Sequence, residues 1–135
     1  MKPRVLGLDT NVLVRLLVAD DAAQTRRARG LVERAASRDE PVLVSLPVII
    51  ETEWVLRSRY TFDKAAILAS LSGLLAAREL TFEDEPAIEE ALYRWKDSAA
   101  GFVDCLIVAH NRRLGCSATA TFDAAAARVP GFVAA

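Results

Sequence analysis

The chain is 135 residues long, 53% hydrophobic and 26% charged, with a net charge of −1. That size and balance fit a single globular domain, residues 1–135, with its own core, and they exclude a disordered or fibrous chain. A globally basic nucleic-acid footprint is missing. Arginines do gather locally, at Arg26, Arg27, Arg29, Arg34 and Arg38, at Arg57 and Arg59, and at Arg112 and Arg113.

In chain order, residues 4–8 read as a short buried strand, an apolar run that breaks at Asp9. Val12, Leu13, Leu16 and Leu17 then recur at helical spacing, so the chain turns from strand to helix across Asp9-Thr10-Asn11. Asp20-Asp21 followed by Gln24 offers a cap for a helix reaching about Ser37. Residues 41–45 predict a second strand, and Pro47 suits the first turn of a helix to about Arg59. Thr61 or Asp63 caps the next helix, through Ala65, Leu68, Leu71 and Leu75. A strand at Leu80–Phe82 and a helix over 85–96 follow. The last helix, about Phe102 to Leu114, stops at Gly115, with Arg112 and Arg113 near its negative end. Residues 117–122 read as a final strand, and the alanine run at 124–127 with Val129-Pro130-Gly131 suggests a loosely held end.

Strands alternating with helices predict an α/β fold, a mainly parallel sheet flanked by helices, with ligands beyond the carboxyl ends of the strands. Cys105 and Cys116 form neither a C-x-x-C pair nor a zinc pattern, which suits a reducing compartment. Asp9 interrupts the first apolar run too early for a signal segment or a membrane span, so a soluble cytoplasmic protein without membrane contact is expected.

Four acids stand among apolar neighbours: Asp9 after the first strand, Glu51 in Val48-Ile-Ile-Glu, Asp104 in Phe102-Val-Asp-Cys, and Asp123 after the last strand. A buried, unpaired carboxylate is costly, so each needs a cap, an ion pair, solvent or a shared cation. A shared cation would serve all four. Hard oxygen donors select Mg²⁺ or Mn²⁺, and the matching chemistry is phosphodiester hydrolysis by a metal-activated water. Glu53 lies about 200° round the helix from Glu51 and reads as a surface acid. His110, the only histidine, falls on another helix face than Asp104, which argues against a histidine base there. Asn111 lies about 10 Å along the helix from Asp104 and makes a poor ligand. No Walker A, G-x-S-x-G or G-x-G-x-x-G pattern occurs.

The stretches "LDTNVLVRLLVADDAAQ" at 8–24, "VSLPVIIETEWVLRSRY" at 44–60 and "GFVDCLIVAHNRRLGCSATATFD" at 101–123 resemble the PIN-domain ribonucleases, in particular the VapC-type toxins of bacterial toxin–antitoxin pairs. The resemblance implies a three-layer PIN-like sandwich and a Mg²⁺- or Mn²⁺-dependent endoribonuclease. It implies Asp9, Glu51 and Asp104 as metal ligands, Asp123 as a fourth catalytic acid, and Thr10, Asn11 and Thr121 as polar neighbours that orient them. It also implies a homodimer, a cognate antitoxin and an RNA substrate. Relatives with this pattern often carry an aspartate three residues before the central one, where this chain has Gly101. A weakened domain that mainly binds antitoxin or RNA is therefore the alternative expectation.

Overall fold

The amino-terminal apolar run forms strand β1 (Leu6–Gly7) and then helix α1 (Thr10–Leu17), turning at Asp9 as the spacing predicts. The computed structural model describes residues 4–135, which group into two compact units, one running to Glu83 and one from Asp84 to Ala135.

In the first unit β1, β2 (Val42–Val44) and β3 (Leu80–Phe82) form one parallel sheet in the order β1-β2-β3. Leu6 faces Val42 across the first pair, and Val42 and Val44 face Leu80 and Phe82 across the second. Parallel neighbours need long crossovers. Here α1 and α2 (Ala22–Ser37) connect β1 to β2, and α3 (Leu46–Ser58) and α4 (Lys64–Ala76) connect β2 to β3. Asp21 and Asp63 cap α2 and α4 by accepting the amides of Gln24 at 3.0 Å and Ala66 at 2.8 Å. Val42, Val44, Leu13 and Leu56, all 0% exposed, sit at the centre of this unit's core.

In the second unit α5 (Glu85–Trp95) and α6 (Phe102–Arg113) pack along each other through Ala87, Ile88, Phe102 and Cys105, with Trp95 edge-on to Phe102 at 5.6 Å. Gly115 ends α6 as expected: at φ +101° it lets Cys116 donate to Asn111 and its own amide to Arg112.

The carboxyl end is not loose. After β4 (Thr119–Thr121), a 3-10 turn (Ala126–Arg128) leads to β5 (Phe132–Ala134), which pairs in parallel with β4. Ala126, 0% exposed, and Val129, 4% exposed, anchor the connection, and Arg112 donates to the Pro130 carbonyl. Gly131 has φ +100°, and a Cβ there would lie 2.7 Å from Val108 Cγ2. The close approach and the left-handed backbone both require glycine.

The chain is thus α/β, with parallel strands and six α-helices among the described residues. None of these helices is long and apolar enough to cross a membrane.

Candidate functional site

Asp9 follows β1 and caps α1: its Oδ1 accepts the Thr10 amide at 2.8 Å, and its carbonyl accepts the amides of Val12 and Leu13. The bond fixes one carboxylate oxygen and leaves the exposed side chain open to solvent. Thr10 itself is buried, whereas Asn11 is exposed.

Glu51 lies on α3 and is exposed, but the next two residues are buried, Thr52 at 0% and Glu53 at 2% exposure. Glu53 is therefore not the surface acid expected from helical spacing. Its carboxylate accepts from Arg57 Nε at 2.8 Å, one turn on, and the same contact raises the Arg57 pKa further above its ordinary value. Within α3, among the described residues, the buried acid is in an ion pair and the open acid is not. Thr52 Oγ1 has no hydrogen-bond partner among the described residues.

The amino end of α3 is finished by a residue distant in sequence. Ser45, its N-cap, makes no side-chain cap bond, and Glu83 just past β3 accepts the Leu46 amide at 2.8 Å. A carboxylate at a helix amino terminus satisfies an orphan donor and meets the positive end of the dipole. No local pattern signals this, because the two residues meet only once β2 and β3 are paired.

In the second unit Asp104 is half-buried in the first turn of α6. Gly101 is the N-cap of that helix at φ −76°, a conformation open to any residue. A Cβ on Gly101 would lie 3.8 Å from Asp104 Oδ2 and meet nothing else within 4 Å. An acid at position 101 would thus stand beside Asp104. Asp123 is exposed and caps the 3-10 turn, its Oδ1 accepting the amides of Ala125 at 2.8 Å and Ala126 at 3.1 Å. Thr121 Oγ1 accepts the Asp123 amide at 3.0 Å, which ties the turn back to β4. Asn111 donates to Thr119 Oγ1 at 3.1 Å.

A second cluster in this unit escapes sequence inspection. Asp84 adopts φ +49°, and its carboxylate accepts from His110 Nδ1 at 2.6 Å and from Arg113 Nε. Burial works against its ionisation, but the bonds from His110 and Arg113 prevail and hold its pKa below the ordinary carboxylate value. The left-handed backbone is tolerated at an aspartate because its short side chain finds partners at once.

The fully buried acid is thus Glu53, and the Asp84 side chain is 11% exposed. Asp9, Glu51 and Asp123 are exposed and Asp104 is half-buried. Among the described residues none of the four is in an ion pair. In donor type they suit a hard cation, offering carboxylate oxygens uncommitted to an arginine or lysine. Asp9 and Glu51 belong to the first unit, Asp104 and Asp123 to the second. Among the described residues no three His, Cys, Asp or Glu side chains form a group able to hold a metal ion.

No curated protein matches the chain. The family model of the PIN domain matches residues 7–131, a span that includes all four acids and most of both units. PIN domains are generally nucleases and generally use divalent metals such as Mg²⁺. With nearly its whole length covered by that match, the chain belongs to the PIN domain family.

Proposed function

We propose that the chain is a Mg²⁺- or Mn²⁺-dependent endoribonuclease that cuts RNA to leave a 5′-phosphate and a 3′-hydroxyl, and that it acts as the toxin of a toxin–antitoxin pair. One observation carries the nuclease reading: within a PIN-family match over residues 7–131, the four carboxylates Asp9, Glu51, Asp104 and Asp123 are in no ion pair among the described residues. Asp9, Glu51 and Asp104 would hold the cation, with Asp123 assisting. When bound, a divalent cation neutralises phosphate charge and activates the attacking water.

The chain's own residues supply orientation. The Thr10 amide fixes one oxygen of Asp9, so the other presents a constant direction to solvent. Asp123 is held from both sides, its amide by Thr121 and its carboxylate by Ala125 and Ala126.

The test uses purified protein free of any partner, RNA and single-stranded DNA side by side, and Asp9→Asn. Asparagine keeps the helix cap but removes the charge. RNA cleavage that needs added Mg²⁺ or Mn²⁺ and disappears in Asp9→Asn is the expected result. Cleavage that persists in Asp9→Asn or under chelation overturns the site, and preferential DNA cleavage overturns the substrate. For the toxin role, growth arrest on expression should be relieved by the product of a neighbouring small reading frame that copurifies with the chain. Growth without arrest counts against that role.

A further inference from the structure

A cavity of about 460 Å³ opens in the second unit, between the carboxyl end of α5 and the 3-10 turn before β5, with Ala125, whose amide Asp123 holds, on its wall. Its size falls within the roughly 300–1,000 Å³ of small-ligand pockets. Tyr93 and Arg94 line it from α5, Asp97 and Ser98 from the following link, and Arg128 and Pro130 from the turn. The lining residues carry two guanidinium groups and one carboxylate, so the lining is net positive. Among the described residues neither Arg94 nor Arg128 is in an ion pair. Arg94 instead lies over the Tyr93 ring, 5.8 Å from its centroid. Tyr93 is 74% exposed, so the part of its ring that Arg94 leaves uncovered is open to a stacking partner.

Paired arginines recognise phosphate through their fixed fork of donors, and an exposed aromatic ring gives a base a stacking platform of any sequence. An acceptor-only carboxylate such as Asp97 suits a sugar hydroxyl. We propose that this cavity takes one nucleotide unit, its phosphate between Arg94 and Arg128 and its base against Tyr93. The proposal extends the RNA-directed reading above, since a nucleotide of a bound RNA and a free nucleotide share this chemistry.

The two sources separate in a binding experiment on the Asp9→Asn chain, where cleavage does not interfere. One arm titrates adenosine 5′-monophosphate and follows backbone amide shifts; the other measures anisotropy of a labelled, unstructured oligoribonucleotide. Nucleotide-induced shifts at residues 93–99 and 125–130 are expected, and Arg94→Gln with Arg128→Gln should weaken binding about tenfold or more. Tyr93→Phe should retain binding and Tyr93→Ala lose it. A parallel loss of RNA affinity assigns the site to an RNA nucleotide, and an RNA affinity left intact assigns it to a free one. The control pair Arg26→Gln with Arg29→Gln removes the same charge elsewhere. If it weakens binding equally, or if neither probe responds to the cavity variants, the proposal is overturned. Cleavage by the wild-type chain is scored separately, so the nuclease reading stands or falls on its own result.

Discussion

The two units build parallel strands to different standards of burial. In the first, Val42 and Val44 of β2 are 0% exposed, and β3 buries Leu80 and Phe82 on either side of an exposed Thr81. In the second, neither β4 nor β5 contains a buried residue, and Val133 is 49% exposed. A two-stranded ribbon is marginal on its own. What steadies this one is α6, whose Asn111 donates to Thr119 and whose Arg112 donates to the Pro130 carbonyl, together with the buried Ala126 and Val129 of the connecting turn. The candidate acids inherit the difference. Asp9 follows β1, which has no buried residue of its own but pairs with the buried β2, whereas Asp123 follows a strand held in place by its connections.

The most direct way to break this comparison is a matched pair of truncations. Val44→Ala removes two buried methyl groups from a strand centre and should cost about 2 kcal/mol, from roughly 0.8 kcal/mol per buried carbon plus the cavity left behind. Val133→Ala should stay within about 0.5 kcal/mol, as surface changes do. Urea denaturation of the two variants measures both, and equal losses would mean the ribbon carries as much packing energy as the sheet.

Gly131→Ala sharpens the same point. At φ +100° the new Cβ meets Val108 Cγ2 at 2.7 Å, so both backbone and neighbour must shift. A left-handed non-glycine residue and its clash cost about 1–2 kcal/mol. The β5 amides should then exchange with solvent faster than those of β2. A variant with unchanged exchange and stability would show that the connection does not hold the ribbon.

Asp84 supplies a pH-dependent difference. Its folded pKa lies below its unfolded one, near 3.9, because His110 and Arg113 hold the charge against the cost of burial. Its contribution is therefore present above the unfolded value and is lost as pH falls through the folded one. Asp84→Asn should cost about 1 kcal/mol near neutral pH, a modest figure because His110 and Arg113 are 32% and 51% exposed. The gap should close in strong acid. Denaturation curves across pH test this, and a gap that persists unchanged in acid would remove the charge from the explanation.

Much of the fold was legible because its signals are local. Asp21 and Asp63 act as caps where the sequence places them, Gly115 ends its helix, and the strand-to-helix turn falls at Asp9. β5 was not legible, since an exposed strand of three residues after an alanine run lacks apolar alternation. Position and resemblance locate the candidate acids, but their apolar neighbours suggest a burial that Asp9, Glu51 and Asp123 do not have. Helical spacing separates Glu51 from Glu53 correctly without saying which of the two faces inward, and the structure buries Glu53 against Arg57. Glu83 at the start of α3 and Asp84 with His110 and Arg113 depend on contacts across 26 to 37 residues, which no window of sequence can contain.

The smallest expected effect bears on the proposed chemistry. At Gly101, φ −76° permits any residue, and aspartate is a good N-cap, better than glycine by only a few tenths of a kcal/mol. The new side chain would begin 3.8 Å from the Asp104 carboxylate, so like-charge repulsion offsets the gain and stability without cations should stay within about 0.5 kcal/mol. Added Mg²⁺ or Mn²⁺ should reverse that repulsion, because two adjacent carboxylates bind a hard cation better than one. Gly101→Asp should therefore melt at a higher temperature with the cation than without, by a larger margin than the wild type. It should also take up Mn²⁺ more tightly in calorimetric titration. A variant whose melting ignores the cation would mean that Asp104 does not face a metal, and that the absence of an acid at position 101 cannot be what limits cleavage.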